Sequence, residues 1–291
     1  MTFTPAPPPL IAGLSEIASG YSALICDVWG VIHNGVAAFP GAIEALTAFR
    51  RGGGRVCLVT NAPRPNAPIH EQLAQFGVPR DAYDDIVTSG DVTRHLLATR
   101  GERSLVHIGP ERDLGLYDGL HLELTADDAG EIICVTGLND DTVETPEDYR
   151  DRLAALAARG LTLVCANPDI VVERGHQLIW CAGALAKLYE ELGGRVEMLG
   201  KPFSPIYAEA LTRLELAADR VVAKSEILAI GDGLPTDVRG GVAQGIDVLF
   251  VTAGIHAADF GAPETPDMAK VAARLAREGL AARAAIPRLA W

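Results

Sequence analysis

Two apolar runs in this chain end at carboxylates. Leu24-Ile25-Cys26 leads into Asp27, with Val28-Trp29-Gly30-Val31 behind it. Ile227-Leu228-Ala229-Ile230 leads into Gly231-Asp232, with Asp237 shortly after. Each reads as a buried strand that stops at an acid aimed out of the end of a sheet. Acids so placed, far apart in sequence, suggest one divalent cation held between them. Two further segments supply complementary groups. Val56–Val59 ends at Thr60-Asn61, a hydroxyl beside an amide, and Gly200-Lys201-Pro202 carries an amine. If all four lie on one sheet edge, a mechanism follows. Magnesium takes oxygen ligands, and Asp27, Asp232 and a backbone carbonyl can provide them. Lys201 offsets the crowded carboxylates and binds a phosphoryl oxygen as a point charge. Thr60 donates a hydrogen bond to another oxygen, and Asp27 attacks phosphorus to form an acyl phosphate. Each feature alone is weak, and Asp237 could simply cap a helix. Their order along the chain is what carries the signal.

The elements that must position these residues alternate. A proline-rich arm (Pro5, Pro7, Pro8, Pro9) precedes a helix expected over 10–19. Strand 23–26, a helix opened by Pro40-Gly41, strand 56–59, a helix over 67–76 and strand 86–88 follow. Strand–helix alternation predicts a parallel sheet covered on both faces, with ligands at the carboxyl ends of its strands. Gly52-Gly53-Gly54 precedes a strand and not a helix, so it reads as a turn and not a phosphate loop. Strands at 105–108, 132–136 and 161–165, with a helix over 146–159, form a second α/β unit. The first pattern resumes at Val196–Lys201. A helix over 205–217, strand 227–230, a helix over 237–243, strand 248–251 and an amphipathic helix from Met268 complete it. The expected organisation is an α/β fold, a Rossmann-like parallel sheet core over 1–88 and 194–291, with an α/β cap inserted over 89–193.

Composition narrows the function. The 291 residues are 48% hydrophobic and carry a formal net charge of -13, from 25 basic and 38 acidic side chains. That suits a large globular core and excludes general nucleic-acid binding, which needs a basic face. Five scattered cysteines without a CxxC pair read as buried thiols of a reducing compartment. Cys181 lacks any His/Asn signature of a nucleophile. The start of the chain is not a signal peptide and no apolar run spans a membrane, so the expected location is cytoplasmic, with no membrane partner.

The motif order, from the Asp27 run through Thr60-Asn61 and Gly200-Lys201-Pro202 to Gly231-Asp232 and Asp237, resembles the haloacid dehalogenase superfamily of hydrolases over nearly the whole length. The insertion, with Asn167-Pro168-Asp169, resembles the cap of class IIA, the group of N-acetylglucosamine-phosphate-phosphatase-like, nitrophenylphosphatase and phosphoglycolate phosphatase enzymes. The resemblance implies a small-molecule phosphate substrate, possibly a sugar phosphate, and Mg2+ as cofactor. It implies Asp27 as nucleophile, Thr60 and Asn61 at the phosphate, and Lys201 stabilising the intermediate. Asp232 and Asp237 would bind metal with Asp27 and the Trp29 backbone carbonyl. It also implies a cap that closes over and selects the substrate, and allows a homodimer through the cap.

Trp29 breaks the pattern. Most phosphatases of the family carry a second aspartate there, which protonates the leaving oxygen. An indole nitrogen only donates, and losing a general acid costs about a hundred- to ten-thousand-fold in rate. Three readings follow. His33, in the loop after the nucleophile, replaces the acid; or only good leaving groups react; or the chain binds a phosphorylated metabolite with little or no turnover. Metal-free dehalogenation, which also uses an aromatic residue at that position, is a further alternative, opposed by the retained Asp232 and Asp237. A Schiff-base role would need Lys187, which reads as a surface lysine. Arg64 and Asp169 are candidate substrate contacts, as are Arg174 and His176. Asp140 and Asp141 read as loop acids, and Trp180 and Trp291 as packing residues.

Overall fold

The computed structural model describes residues 7–174 and 177–291, so Pro5 and His176 lie outside the described residues. The chain forms two compact units, one made of residues up to 60, 70–87 and 207–291, the other of 61–69 and 88–206. The second unit thus takes in 61–69 and 194–206 beyond the inserted segment expected from sequence.

In chain order the strands are β1 (Ala23–Asp27), β2 (Arg55–Thr60), β3 (Asp85–Thr88), β4 (Ser104–Ile108), β5 (Glu123–Leu124), β6 (Ile132–Val135) and β7 (Thr162–Cys165). A hairpin, β8 (Val171–Arg174) and β9 (Gln177–Trp180), follows, then β10 (Arg195–Met198), β11 (Ile227–Gly231) and β12 (Asp247–Val251). A two-residue ribbon, β13 (Gly261–Ala262) and β14 (Thr265–Pro266), precedes β15 (Ala284–Ile286).

The first unit is built on a six-stranded sheet in the order β15-β12-β11-β1-β2-β3. Every residue of β1 and β11 is buried, the continuous pattern of central parallel strands covered on both faces. From β1 the chain winds outward through β2 and β3, then returns to β11 on the other side. The winding reverses between β1 and β11, and the register pairs Cys26 with Ile230. Asp27 and Asp232 therefore emerge side by side, in the crevice where such sheets gather ligands.

The second unit has its own sheet, β10-β7-β6-β4-β5, with all four pairings parallel. Its core packs Val106, Ile133, Leu163, Leu153, Leu185 and Tyr189 together. Here too the winding reverses, between β4 and β6. Both units are α/β, a Rossmann-like core and an inserted cap.

The expected helix over 10–19 is two 3-10 turns, Leu14–Glu16 and Ala18–Gly20. Each turn closes on its own three-residue hydrogen bond, from the Ile17 N–H to the Leu14 carbonyl and from the Tyr21 N–H to the Ala18 carbonyl, so no continuous α-helical ladder forms. The hairpin, β15 and the helix Ser89–Thr99 had no clear sequence signal. That helix starts with a capping box: Thr88 accepts from the Asp91 N–H at 2.8 Å and its own N–H donates to Asp91 at 3.1 Å. Among the described residues no helix is long and apolar enough to cross a membrane.

Candidate active site

Three acids meet in the first unit. Asp27, Asp232 and Asp237 each offer a carboxylate oxygen, and these oxygens lie within 4.8 Å of one another. The residues are only 6%, 6% and 5% exposed. Glycines make room for them. At Gly30, with φ +85, and at Gly254, a Cβ would strike the Asp232 carboxylate, and at Gly231 it would strike Asp237. Backbone donors then fix the side chains: the Ile255 N–H donates to Asp232 Oδ2 at 2.8 Å, and the Gly233 N–H to Asp237 Oδ2 at 3.0 Å. Asp237 lies in a π-helical turn, Leu234–Val238, ahead of the short helix Arg239–Gln244. Buried carboxylates at this spacing repel one another unless a cation sits among them. An all-oxygen donor set selects a hard ion such as magnesium, calcium or manganese. The residues present fit a divalent metal.

The loop after Asp27 folds back on itself. The Gly30 N–H donates to the His33 carbonyl at 2.8 Å. The half-buried Trp29 meets the His33 ring edge-on at 5.1 Å between centroids, and His33 packs on Phe76 at 4.9 Å. The tip of the indole fills the space that a side chain at Gly35 would need. His33 is 1% exposed, and its Nδ1 accepts from the Gly35 N–H at 3.0 Å. Nδ1 is thereby the acceptor and Nε2 carries the proton. Burial pushes its pKa down to about 4. Thr60, at the end of β2, is buried.

The second unit assembles another group. Lys201 is 4% exposed and follows Gly200, which has φ +106. A Cβ at Gly200 would lie 2.6 Å from Asn61 Oδ1, 2.8 Å from Pro168 and 2.9 Å from Ser89 Oγ. Only glycine lets three segments converge there. Asn61 Oδ1 accepts from the Lys201 N–H at 2.7 Å, and its Nδ2 donates to Asp169 Oδ1 at 2.9 Å. Ser89 Oγ donates to the Leu199 carbonyl at 2.9 Å. Sequence reasoning noticed Asn61 but not that its amide is spent at both ends on the protein. Nothing local signals partners so distant in the chain.

Other candidates resolve as follows. Arg64 stands 3.8 Å from Asp113, and Arg174 pairs with Asp141 at 2.9 Å. Asp140 accepts from Thr142, a loop turn as expected. Lys187 is exposed. All five thiols are buried and none is in a disulfide. Burial raises the Cys181 pKa, which disfavours a thiolate nucleophile. Trp180 and Trp291 are 39% and 43% exposed, more open than packing residues would be.

Comparison with known proteins gives the family. Residues 24–123 match a family described as haloacid dehalogenase-like hydrolase, and residues 198–277 match one described as HAD-hydrolase-like. A crystal structure of a haloacid dehalogenase-like hydrolase from Brucella suis 1330 is 48% identical, with a TM-score of 0.86, over 96% of this chain and 99% of that one. The ribonucleotide monophosphatase NagD of Escherichia coli K12 is 25% identical over 81% of this chain and 89% of its own. The D-glycerol 3-phosphate phosphatase of Mycobacterium tuberculosis is 28% identical over 84% and 67%. The chain belongs to the haloacid dehalogenase-like hydrolases, in the class IIA group whose cap it carries.

Proposed function

We propose that this hydrolase is a magnesium-dependent phosphatase of a small organic phosphate, acting through a phospho-Asp27 intermediate. The observation that carries the reading is the trio of buried carboxylates at the β1–β11 crevice. Asp27, Asp232, Asp237 and the Trp29 backbone carbonyl would hold the cation. When bound, it supplies positive charge to the carboxylates and polarises a phosphoryl oxygen. The metal-free dehalogenase alternative has no use for such a cluster and is set aside.

In this reading the Asp27 carboxylate attacks phosphorus, and Thr60 donates to one phosphoryl oxygen. Lys201 contributes a point charge to another. Asn61 acts as a clamp: its side chain holds Lys201 and Asp169 in place, so its phosphate contact falls to the backbone N–H. His33 does not supply the missing acid. A buried imidazole with a pKa near 4 is neutral at physiological pH, and one of its nitrogens is already engaged. Its role is to seat Trp29. In this reading the unit that holds Asp27, Asp232 and Asp237 supplies the nucleophile and the metal ligands, and the cap, which takes in 61–69 and 88–206, selects the substrate. Buried thiols and the acidic balance suit the cytoplasm.

The test is a phosphate panel with p-nitrophenyl phosphate, an acyl phosphate and several alkyl phosphates, with magnesium and with chelator. Turnover with magnesium, abolished by chelator and by Asp27→Asn, is expected. Acid quenching should trap phosphate on the wild-type protein and not on Asp27→Asn. Saturable phosphate binding without turnover of any substrate would instead identify a metabolite-binding relative.

A further inference from the structure

The turn that follows His33 carries a chemistry separate from that of the carboxylates. The Asn34 N–H donates to the Ala37 carbonyl at 3.2 Å, which ties together the two ends of Asn34-Gly35-Val36-Ala37. Gly35 has φ +82, a conformation that a side chain disfavours. There is no room for a side chain either, since a Cβ would lie 2.6 Å from the tip of the Trp29 indole. Asn34 is therefore locked in front of a glycine. An asparagine so placed has an intrinsic reaction. The amide nitrogen of the next residue attacks Cγ and closes a cyclic succinimide, and glycine offers no side chain to hinder the approach.

The groups around this dipeptide match what the reaction needs. The Gly35 N–H donates to His33 Nδ1 at 3.0 Å, so the proton that must leave already points at a basic nitrogen. The imidazole that carries it is only 1% exposed and is held between Trp29 and Phe76. Asn34 Oδ1 accepts from the Val36 N–H at 3.0 Å and from the Ala37 N–H at 2.9 Å. Two backbone donors thus converge on the oxygen that becomes negative when Cγ is attacked, as in an oxyanion hole. Among the described residues Nδ2 has no hydrogen-bond partner, and Asn34 is half-buried, so nothing retains the leaving nitrogen. An ordinary Asx turn would share the bonds to Oδ1. It would not set a basic nitrogen on the following N–H.

We infer that Asn34-Gly35 is a self-modifying site, at which the folded chain converts the asparagine to a succinimide and then to aspartate and isoaspartate. The Gly35 nitrogen bonds to Asn34 Cγ as its proton passes to His33 Nδ1, and the carbonyl electron pair moves onto Oδ1 beside the Val36 and Ala37 N–H groups. The pair then returns and the Cγ–Nδ2 bond breaks. Nδ2 takes the proton back from His33 and leaves as ammonia. Water opens the ring at either carbonyl. The consequence falls on the loop behind Asp27. The succinimide nitrogen has no hydrogen, so the bond from Gly35 to His33 is lost, and isoaspartate adds a methylene to the main chain beside the Trp29 indole. The reaction uses neither metal nor phosphate, so it holds or fails independently of the phosphatase reading.

The test follows the full-length protein over time at neutral pH and physiological temperature, by peptide mapping with mass spectrometry. Isoaspartate is counted by labelling with an isoaspartyl methyltransferase. A synthetic peptide of residues 30–40 gives the rate of the same dipeptide without the fold. The folded protein should convert faster than the peptide, by about ten-fold or more, because base and donors are held in place. His33→Phe keeps a ring against Trp29 and Phe76 but lacks Nδ1, and it should slow conversion about ten- to hundred-fold. A merely structural histidine predicts the reverse, since a loosened Asn-Gly turn reacts faster. Conversion of the folded protein no faster than that of the peptide overturns the inference, as does a rate in folded His33→Phe that is unchanged or higher. The comparison with the peptide decides the matter even where His33→Phe does not fold.

Discussion

Trp29 stands where the phosphatase reading calls for a second acid, and its surroundings say what an indole does there. The indole is packed on His33 and over Gly35, so it is a built part of the loop and not a stray substitution. With His33 neutral, no acid remains in that loop to protonate a leaving oxygen. Rates should then depend steeply on leaving-group pKa, with aryl and acyl phosphates turned over far faster than alkyl phosphates. Trp29→Asp should flatten that dependence and raise alkyl phosphate turnover by about a hundred- to ten-thousand-fold. A series of substituted phenyl and alkyl phosphates reads the slope; equal slopes in both proteins would sink the idea. His33 makes a separate prediction. Its folded pKa of about 4 lies below the ordinary 6.5, so the unfolded chain binds the extra proton between those values. Its contribution to stability is fully present above about pH 6.5 and is lost as pH falls toward 4, to a total of about 3 kcal/mol. Chemical unfolding across that window should show a weaker pH dependence in His33→Gln, by close to one proton. An unchanged dependence would mean that the imidazole is not desolvated.

At the scale of elements, close approach of loops depends on glycines at strand ends. Gly254 follows β12, and a methyl there would push on Asp232. Gly254→Ala should therefore act on magnesium affinity above all, because the methyl meets Asp232 itself, at its Cβ as well as its carboxylate, and shifts the ligand. Gly200→Ala is different: φ +106 and three neighbours within 3 Å give it no way out. It should cost about 1–3 kcal/mol through backbone strain and displace Lys201, lowering kcat more than it raises KM. Thermal melts beside steady-state kinetics separate the two cases, and identical profiles for both variants would refute the distinction. The parts legible in sequence share this logic. Apolar runs that end in Asp27, Thr60 and Asp232 announced strands and their carboxyl ends, because hydrophobic periodicity is local. What stayed hidden is long-range. Nothing near Asn61 foretold that its amide would hold Asp169 and Lys201, and nothing near Arg64 foretold Asp113. The strand Ala284–Ile286 was missed because three apolar residues in an alanine-rich tail look like more helix.

For the whole molecule, the placement of the acids in one unit has a thermodynamic consequence. Asp27, Asp232 and Asp237 all belong to the unit built on the six-stranded sheet. Without a cation their mutual repulsion opposes folding of that unit, and the formal charge of -13 adds to it. A metal that binds only the folded form stabilises it by mass action, about 2.7 kcal/mol at a hundred times Kd. For a unit of this size that corresponds to a rise of roughly 5–10 °C in Tm. Because the three carboxylates share one unit, the rise should not be uniform. Magnesium should protect the amides of β1 and β11 from hydrogen exchange much more than those of the cap strands β6 and β7. Asp232→Asn should remove both the shift in Tm and the selective protection. It should also make the metal-free protein more stable than wild type, since one of three crowded charges is gone. Calorimetry with and without chelator, combined with exchange measured by mass spectrometry, tests all three statements together. A magnesium-dependent shift that survives Asp232→Asn would place the ion elsewhere in the molecule.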